Sequence, residues 1–229
     1  MYRYLLVIIL SIFSFGDLTQ AAVSQSASLK TRQAKVKINI SVPFIVQAPS
    51  AKWSDDRFQA GCEEASVLMA MRWIRSQKQV DKNDAEKAIL TLSDWQLKKY
   101  GSYYDTSADD TAVRLIGGFY DYKKYSVKKN ISKQDIIDEL KLGHIIIAPM
   151  NGQKLKNPNF TQPGPEHHML IIKGYDEAGD QFITNDPGTR RGADYRYKTT
   201  IIIEALRDYP TGKDKKVKEQ SKTIIVVSK

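Results

Sequence analysis

The hydrophobic period shifts several times along this chain, and each shift marks an element. KVKINISV (35–42) alternates apolar and polar residues, the period of a strand, and Pro43 ends it. Residues 45–60 read as a long loop. From Cys62 onward apolar side chains recur at Ala65, Leu68, Met69 and Trp73, a helical spacing. They cover much of the circumference, which predicts a well-buried helix ending near Gln77. A second helix is expected from about Lys82 to Leu97, with a break at Ser93. SADDTAVRLIGGFY predicts a third, capped by Ser107 and stopped by Gly117-Gly118. SKQDIIDELKLG predicts a fourth, with Ser132 and Asp135 at capping-box spacing and Gly143 as its exit residue.

The second half reads differently. HIIIAPM (144–150) has the pattern of a buried strand, and a polar loop with three prolines follows over 151–166. HHMLIIKGYDE (167–177) predicts another strand, Ala178-Gly179-Asp180 turns it, and QFITND (181–186) returns before Pro187. Residues 195–203 fit strand or helix, and TIIVVS (223–228) predicts a last strand. Helices first and antiparallel strands afterwards define an α+β domain. No repeat or linker divides it, so a single domain is expected over 35–229.

Residues 1–21 change where that domain is expected to work. Arg3 precedes an apolar run, Leu5 to Phe15, and the small-residue stretch TQAAVS follows. That is the order of a secretory signal, cut after Ala21 or its neighbour Ala22. The run is shorter than the ~20 residues of a spanning helix; the alternative is an uncleaved N-terminal anchor. A secreted or extracytoplasmic protein is expected.

Hydrophobic content of 41% and aromatic content of 10% fit a globular chain. The net charge is +9, with one dense basic run, KDKKVKEQSK, at 213–222. A solvated loop is the ordinary reading of that run, and contact with an anionic cell-wall polymer or membrane surface is the alternative. Nothing interleaves aromatic and basic residues as a nucleic-acid surface does, so no nucleic-acid partner is expected.

Cys62 is the only cysteine. Exported proteins that use cysteine structurally use it in pairs, so a lone thiol there is either a small buried hydrophobe or wanted for its chemistry. Its position at a helix start supplies unpaired backbone N–H groups and a partial positive charge, which favour thiolate and can hold an oxyanion. Glu63 and Glu64 oppose a thiolate if they point toward it. A thiol nucleophile needs a base, and the histidines are His144, His167 and His168. Strand alternation sets His168 on the face of Leu170 and Ile172, with His167 on the other. A tight hairpin would bring Asp186 beside His168, although a turn before Pro187 explains Asp186 equally well. Glu166, His167 and His168 lack further ligands at convincing metal spacing, so no metal and no cofactor is expected. Trp53, Tyr103 and Tyr104 are ordinary aromatics or the lining of a cleft.

VPFIVQ, GCEEASVLMAM, HHMLIIKGYD and ITNDPG together resemble the papain-like cysteine peptidases of the bacteriocin-processing, double-glycine-leader type, and more narrowly their stand-alone exported relatives. The resemblance covers roughly 41–190. It implies a papain-like fold with Cys62 as nucleophile, His168 as base and Asp186 as its orienter. It also implies a glutamine that helps the Cys62 N–H bind the oxyanion. Gln47 fits best, and Gln59 competes. Cys62-Glu63-Glu64 departs from the Cys-Gly of many relatives. This chain lacks a transporter portion, so leader processing within a transporter is not carried over.

The expected function is a secreted cysteine peptidase acting on peptide or protein substrates through a thioester acyl-enzyme, as a monomer. The alternatives are an amidase or transpeptidase on cell-wall peptides, or an inactive binding domain of the same fold.

Overall fold

The computed structural model describes residues 35–213, 215–217 and 221–229. The signal-like residues 1–21 and part of the basic run at 213–222 lie outside them.

Seven strands form one antiparallel sheet: β1 (Lys37–Asn39), β2 (Tyr125–Lys128), β3 (Ile145–Met150), β4 (His168–Asp176), β5 (Gln181–Asn185), β6 (Tyr195–Lys198) and β7 (Ile224–Val227). Their order is β2-β7-β3-β4-β5-β6. The short β1 pairs with the far end of β4, Lys37 opposite Asp176 and Asn39 opposite Gly174, beyond the stretch that β3 covers.

The helices are α1 (Asp56–Gln59), α2 (Cys62–Ile74), α3 (Lys82–Tyr100), α4 (Ala108–Asp110, continued as a π-helix over Thr111–Phe119), α5 (Lys133–Lys141) and α6 (Thr199–Ala205). They cover both faces of the sheet. Ile145, Ile147, Met169, Ile171, Ile225 and Val227 face a core shared with α2, α3 and α4. Ile146, Ala148, Leu170, Ile172, Ile224 and Val226 face a second core with α5 and α6. That explains why β3, β4 and β7 read as continuous apolar runs: neither face of the central strands meets water.

Most expected elements appear, with instructive differences. α3 is unbroken at Ser93, whose hydroxyl turns back to Ile89 O at 3.1 Å and so satisfies itself within the helix. Gly117 and Gly118 do not stop the third helix, which runs to Phe119. A Cβ at Gly117 would stand 2.7 Å from Tyr125 Oη, and one at Gly118 would stand 3.1 Å from Trp95 Cη2. These glycines let aromatic neighbours approach. The capping box of α5 forms as expected between Ser132 and Asp135. Residues 195–203 are both things, β6 running directly into α6. β2 was not anticipated, and the 45–60 loop contains α1.

Candidate active site

Gly61 is the residue from which α2 starts, and nothing larger than glycine fits there. A Cβ at Gly61 would lie 2.7 Å from Arg57 O, where α1 passes close by. The thiol is free and buried. One turn further, Ser66 Oγ donates to Met169 O at 3.2 Å. Residues four apart on a helix share a face and stand ~6 Å apart along its axis. The Ser66 contact therefore pins the start of α2 against the start of β4, where His168 precedes Met169. α2 packs on the sheet face of Met169 and Ile171, while His168 leans on Phe160 of the other core, ring centroids 5.3 Å apart. Cys62 and His168 line one cleft at the end of that strand.

The hairpin does what its length suggested. Ile171 pairs with Asn185, so the next residue, Asp186, turns toward the beginning of β4. His168 Nε2 and Asp186 Oδ1 are 2.8 Å apart, both groups buried. Asp186 Oδ1 also accepts from Gly188 N at 3.0 Å, and Oδ2 accepts from Tyr197 Oη at 2.6 Å and Asn157 Nδ2 at 3.3 Å. Burial alone would raise this carboxyl, but the His168 charge and these hydrogen bonds outweigh it and hold Asp186 below its ordinary range. An ionised carboxylate only accepts, so Nε2 of His168 carries the proton and Nδ1 is left for another partner. Tyr197 and Asn157 were not anticipated. Tyr197 lay in the strand-or-helix segment, and Asn157 lay in a polar loop without a pattern.

The sulfur faces a different neighbour. Cys62 Sγ donates to Glu63 Oε2 at 3.1 Å. Glu63 Oε1 accepts from Tyr209 Oη at 2.8 Å and Thr106 N at 3.1 Å. Burial, then the Glu63 charge and hydrogen bond, with weaker contributions from Asp105 and Glu64, raise the thiol well above its usual value. Burial and Asp105 also raise Glu63. Glu64 is fully buried and raised well above the usual carboxyl range by burial and by Glu63; its Oε1 accepts from Gln96 Nε2 at 2.7 Å.

His167 takes the opposite side from His168. Its Nδ1 lies 3.2 Å from Asp105 Oδ2, and its ring stacks on Tyr209 at 4.7 Å. Glu166 is near Arg207, 3.8 Å away, so Glu166, His167 and His168 have three different sets of neighbours. His144 pairs with Glu139 at 2.6 Å, away from the cleft.

Gln47 and Gln59 both line the cleft. Gln47 is buried; its Nε2 donates to Phe58 O at 2.9 Å and Gln59 O at 3.0 Å, and its backbone N–H donates to Pro187 O at 2.9 Å. It thus ties the Asp186 loop to the turn that leads into Cys62. Its Oε1 is buried without a partner among the described residues. Gln59 is exposed and donates to Trp53 O at 2.7 Å. The cleft encloses about 820 Å³ and is also lined by Trp53, 42% exposed. Tyr103 and Tyr104 instead stack on each other at 4.5 Å.

A cysteine-bearing helix laid across an antiparallel sheet that carries a histidine beside an aspartate defines a papain-like α+β peptidase fold. The chain belongs to the Peptidase_C39 like family, whose model matches residues 39–212. A crystal structure described as that of a C39-like peptidase from Bacillus anthracis has the same fold, with a TM-score of 0.50 at 16% identity, covering 85% of this chain and 98% of that one. A search among curated proteins finds no match.

Proposed function

We propose that this protein is a cysteine peptidase that uses Cys62, His168 and Asp186 as a catalytic triad. The observation that carries the reading is the pairing of a buried His168–Asp186 couple with a thiol at a helix start, on one cleft, pinned by the Ser66 contact. In the proposed reaction Nδ1 of His168 takes the thiol proton and Sγ attacks a peptide carbonyl carbon. The Cys62 backbone N–H, which has no acceptor within its own helix, holds the developing oxyanion. Gln47 assists by releasing one of its two carbonyl partners. The C–N bond breaks as His168 returns the proton to the leaving amine. Water then attacks the thioester with His168 as base and frees the acid and the thiol. The protein acts outside the cytoplasm, a reading supported by the order of charge, apolar run and small residues over 1–21.

The test is hydrolysis of a peptide library under reducing conditions by the wild type, Cys62→Ala and His168→Ala. Cleavage by the wild type alone is expected. Cleavage that survives in either variant, or none in any protein, would end the peptidase reading.

The Cys62–Glu63 contact favours a second reading, a binding domain of the same fold that does not turn over. In that case a thiol-directed label reacts slowly at neutral pH and His168→Ala leaves its rate unchanged.

A further inference from the structure

Two cations, Arg190 and Arg191, line the cleft, and no aspartate or glutamate does among the described residues. Arg190 and Arg191 are exposed, and no carboxylate of a described residue pairs with either; Arg191 NH1 reaches only Asn159 Oδ1 at 3.5 Å. Elsewhere on this basic protein many cations have acidic partners, as Arg57 does with Asp55 and Asp94 and Arg196 with Asp176.

The arginines also sit on a held backbone. Asp186 N donates to Gly192 O at 2.9 Å, Gly192 N donates to Thr189 O at 3.1 Å, and Arg191 N donates to Thr189 Oγ1 at 3.2 Å. A Cβ at Gly192 would collide with Asp186 O at 1.8 Å, so the loop closes only with glycine there. The same loop touches the base: a Cβ at Gly188 would be 2.9 Å from His168 Cε1. One closed loop therefore orients the imidazole through Asp186 and carries two exposed arginines that line the cleft. Guanidinium forks bind carboxylates in a two-point fashion, and a preorganised backbone reduces the ordering that binding demands.

We propose that Arg190 and Arg191 form a carboxylate subsite, so that the preferred substrates are peptides with an acidic group close to the bond that is cut. The proposal rests on the peptidase reading for its catalytic half. The carboxylate belongs either to an Asp or Glu side chain or to a free C-terminus.

Four peptide pools separate these cases: one with Glu scanned through each position and an amidated C-terminus, matching Gln and Lys pools, and a Gln pool with a free C-terminus. Values of kcat/KM are compared for the wild type and for Arg190→Gln/Arg191→Gln. The Glu pool should exceed Gln by about tenfold or more at its best position, the effect of one charge-assisted hydrogen bond, with Lys below Gln. In the double variant the ratio should fall toward one. A preference in the fourth pool alone assigns the subsite to a terminal carboxylate. Equal cutting of the Glu pool, the amidated Gln pool and the free-terminus Gln pool, or a preference that persists in the variant, overturns the subsite while leaving the peptidase reading standing. If nothing is cut, that reading fails, and retention of the same pools on immobilised Cys62→Ala decides the subsite: acidic peptides held by arginine-dependent contacts support it, and equal retention overturns it.

Discussion

The thiol of Cys62 gives its hydrogen bond to Glu63, the residue beside it, rather than to His168. The carboxylate raises the thiol by charge and by accepting its proton, so it opposes the thiolate that attack requires. Glu63→Gln removes the charge, keeps an oxygen for Tyr209 and Thr106, and can turn an N–H toward the sulfur. Iodoacetamide labelling at pH 7 should quicken by about tenfold, the effect of one pKa unit, with the labelling midpoint moving to lower pH. An unchanged profile would mean that burial alone sets the thiol.

Glu64 is a second buried acid, with a different consequence. Its Oε2 and the Oε1 of Gln96 are both buried without partners among the described residues, while Gln96 Nε2 already donates to Glu64 Oε1. A proton on Glu64 would supply a donor where two acceptors stand idle. Burial, then Glu63, raises Glu64 well above its ordinary 4.5, so the folded chain keeps a proton that the unfolded chain releases. Stability therefore falls as pH rises from about 4.5 through the raised value, and returns on acidification. Glu64→Gln is neutral at every pH. It should be more stable than the wild type at pH 8 by about 1–3 kcal/mol, with the gap closing near pH 4. Urea unfolding at the two pH values measures it, and a gap independent of pH would refute the protonated carboxyl.

Asp186 holds His168 with one oxygen and is itself held by Tyr197 and Asn157 with the other. Asp186→Ala should lower kcat on the order of a hundredfold or more, because the ring loses its fixed tautomer. Asp186→Asn keeps one oxygen for the Nε2 proton while losing the charge and setting an NH2 where Tyr197 and Asn157 donated, so its loss should be smaller than that of Asp186→Ala. Equal losses in the two variants would refute an orienting role for that oxygen.

These contacts differ in how far the sequence announced them. The approach of Asp186 to His168 was legible, because a hairpin with a short turn brings the end of one strand beside the start of the other. The α+β layout and the buried character of α2 were legible from period alone. The partners of the buried acids were not. Tyr209 reaches Glu63 across 146 residues and Gln96 reaches Glu64 across 32, distances over which no periodicity carries information. The glycines of α4 misled for a related reason: their role is to admit Tyr125 and Trp95, which only the packed structure reveals.

Gln47 and Gln59 were competitors for the oxyanion, and their surroundings now set different expectations. Gln47 is buried with its amide group against the carbonyls of Phe58 and Gln59, just ahead of the Cys62 N–H. Gln59 is exposed and turned to Trp53. If Gln47 swings one N–H to the oxyanion, Gln47→Ala should lower kcat about a hundredfold, the usual effect of losing one such donor. It also leaves two carbonyls short of a donor, so the melting temperature should drop alongside. Gln47→Glu separates the two effects: it fills the space but cannot donate once ionised, and its activity relative to the wild type at the same pH should recover as pH falls and the acid is protonated. Gln59→Ala should change kcat by less than about threefold, since it removes only an exposed contact. A large loss at Gln59 with little at Gln47 would exchange their roles.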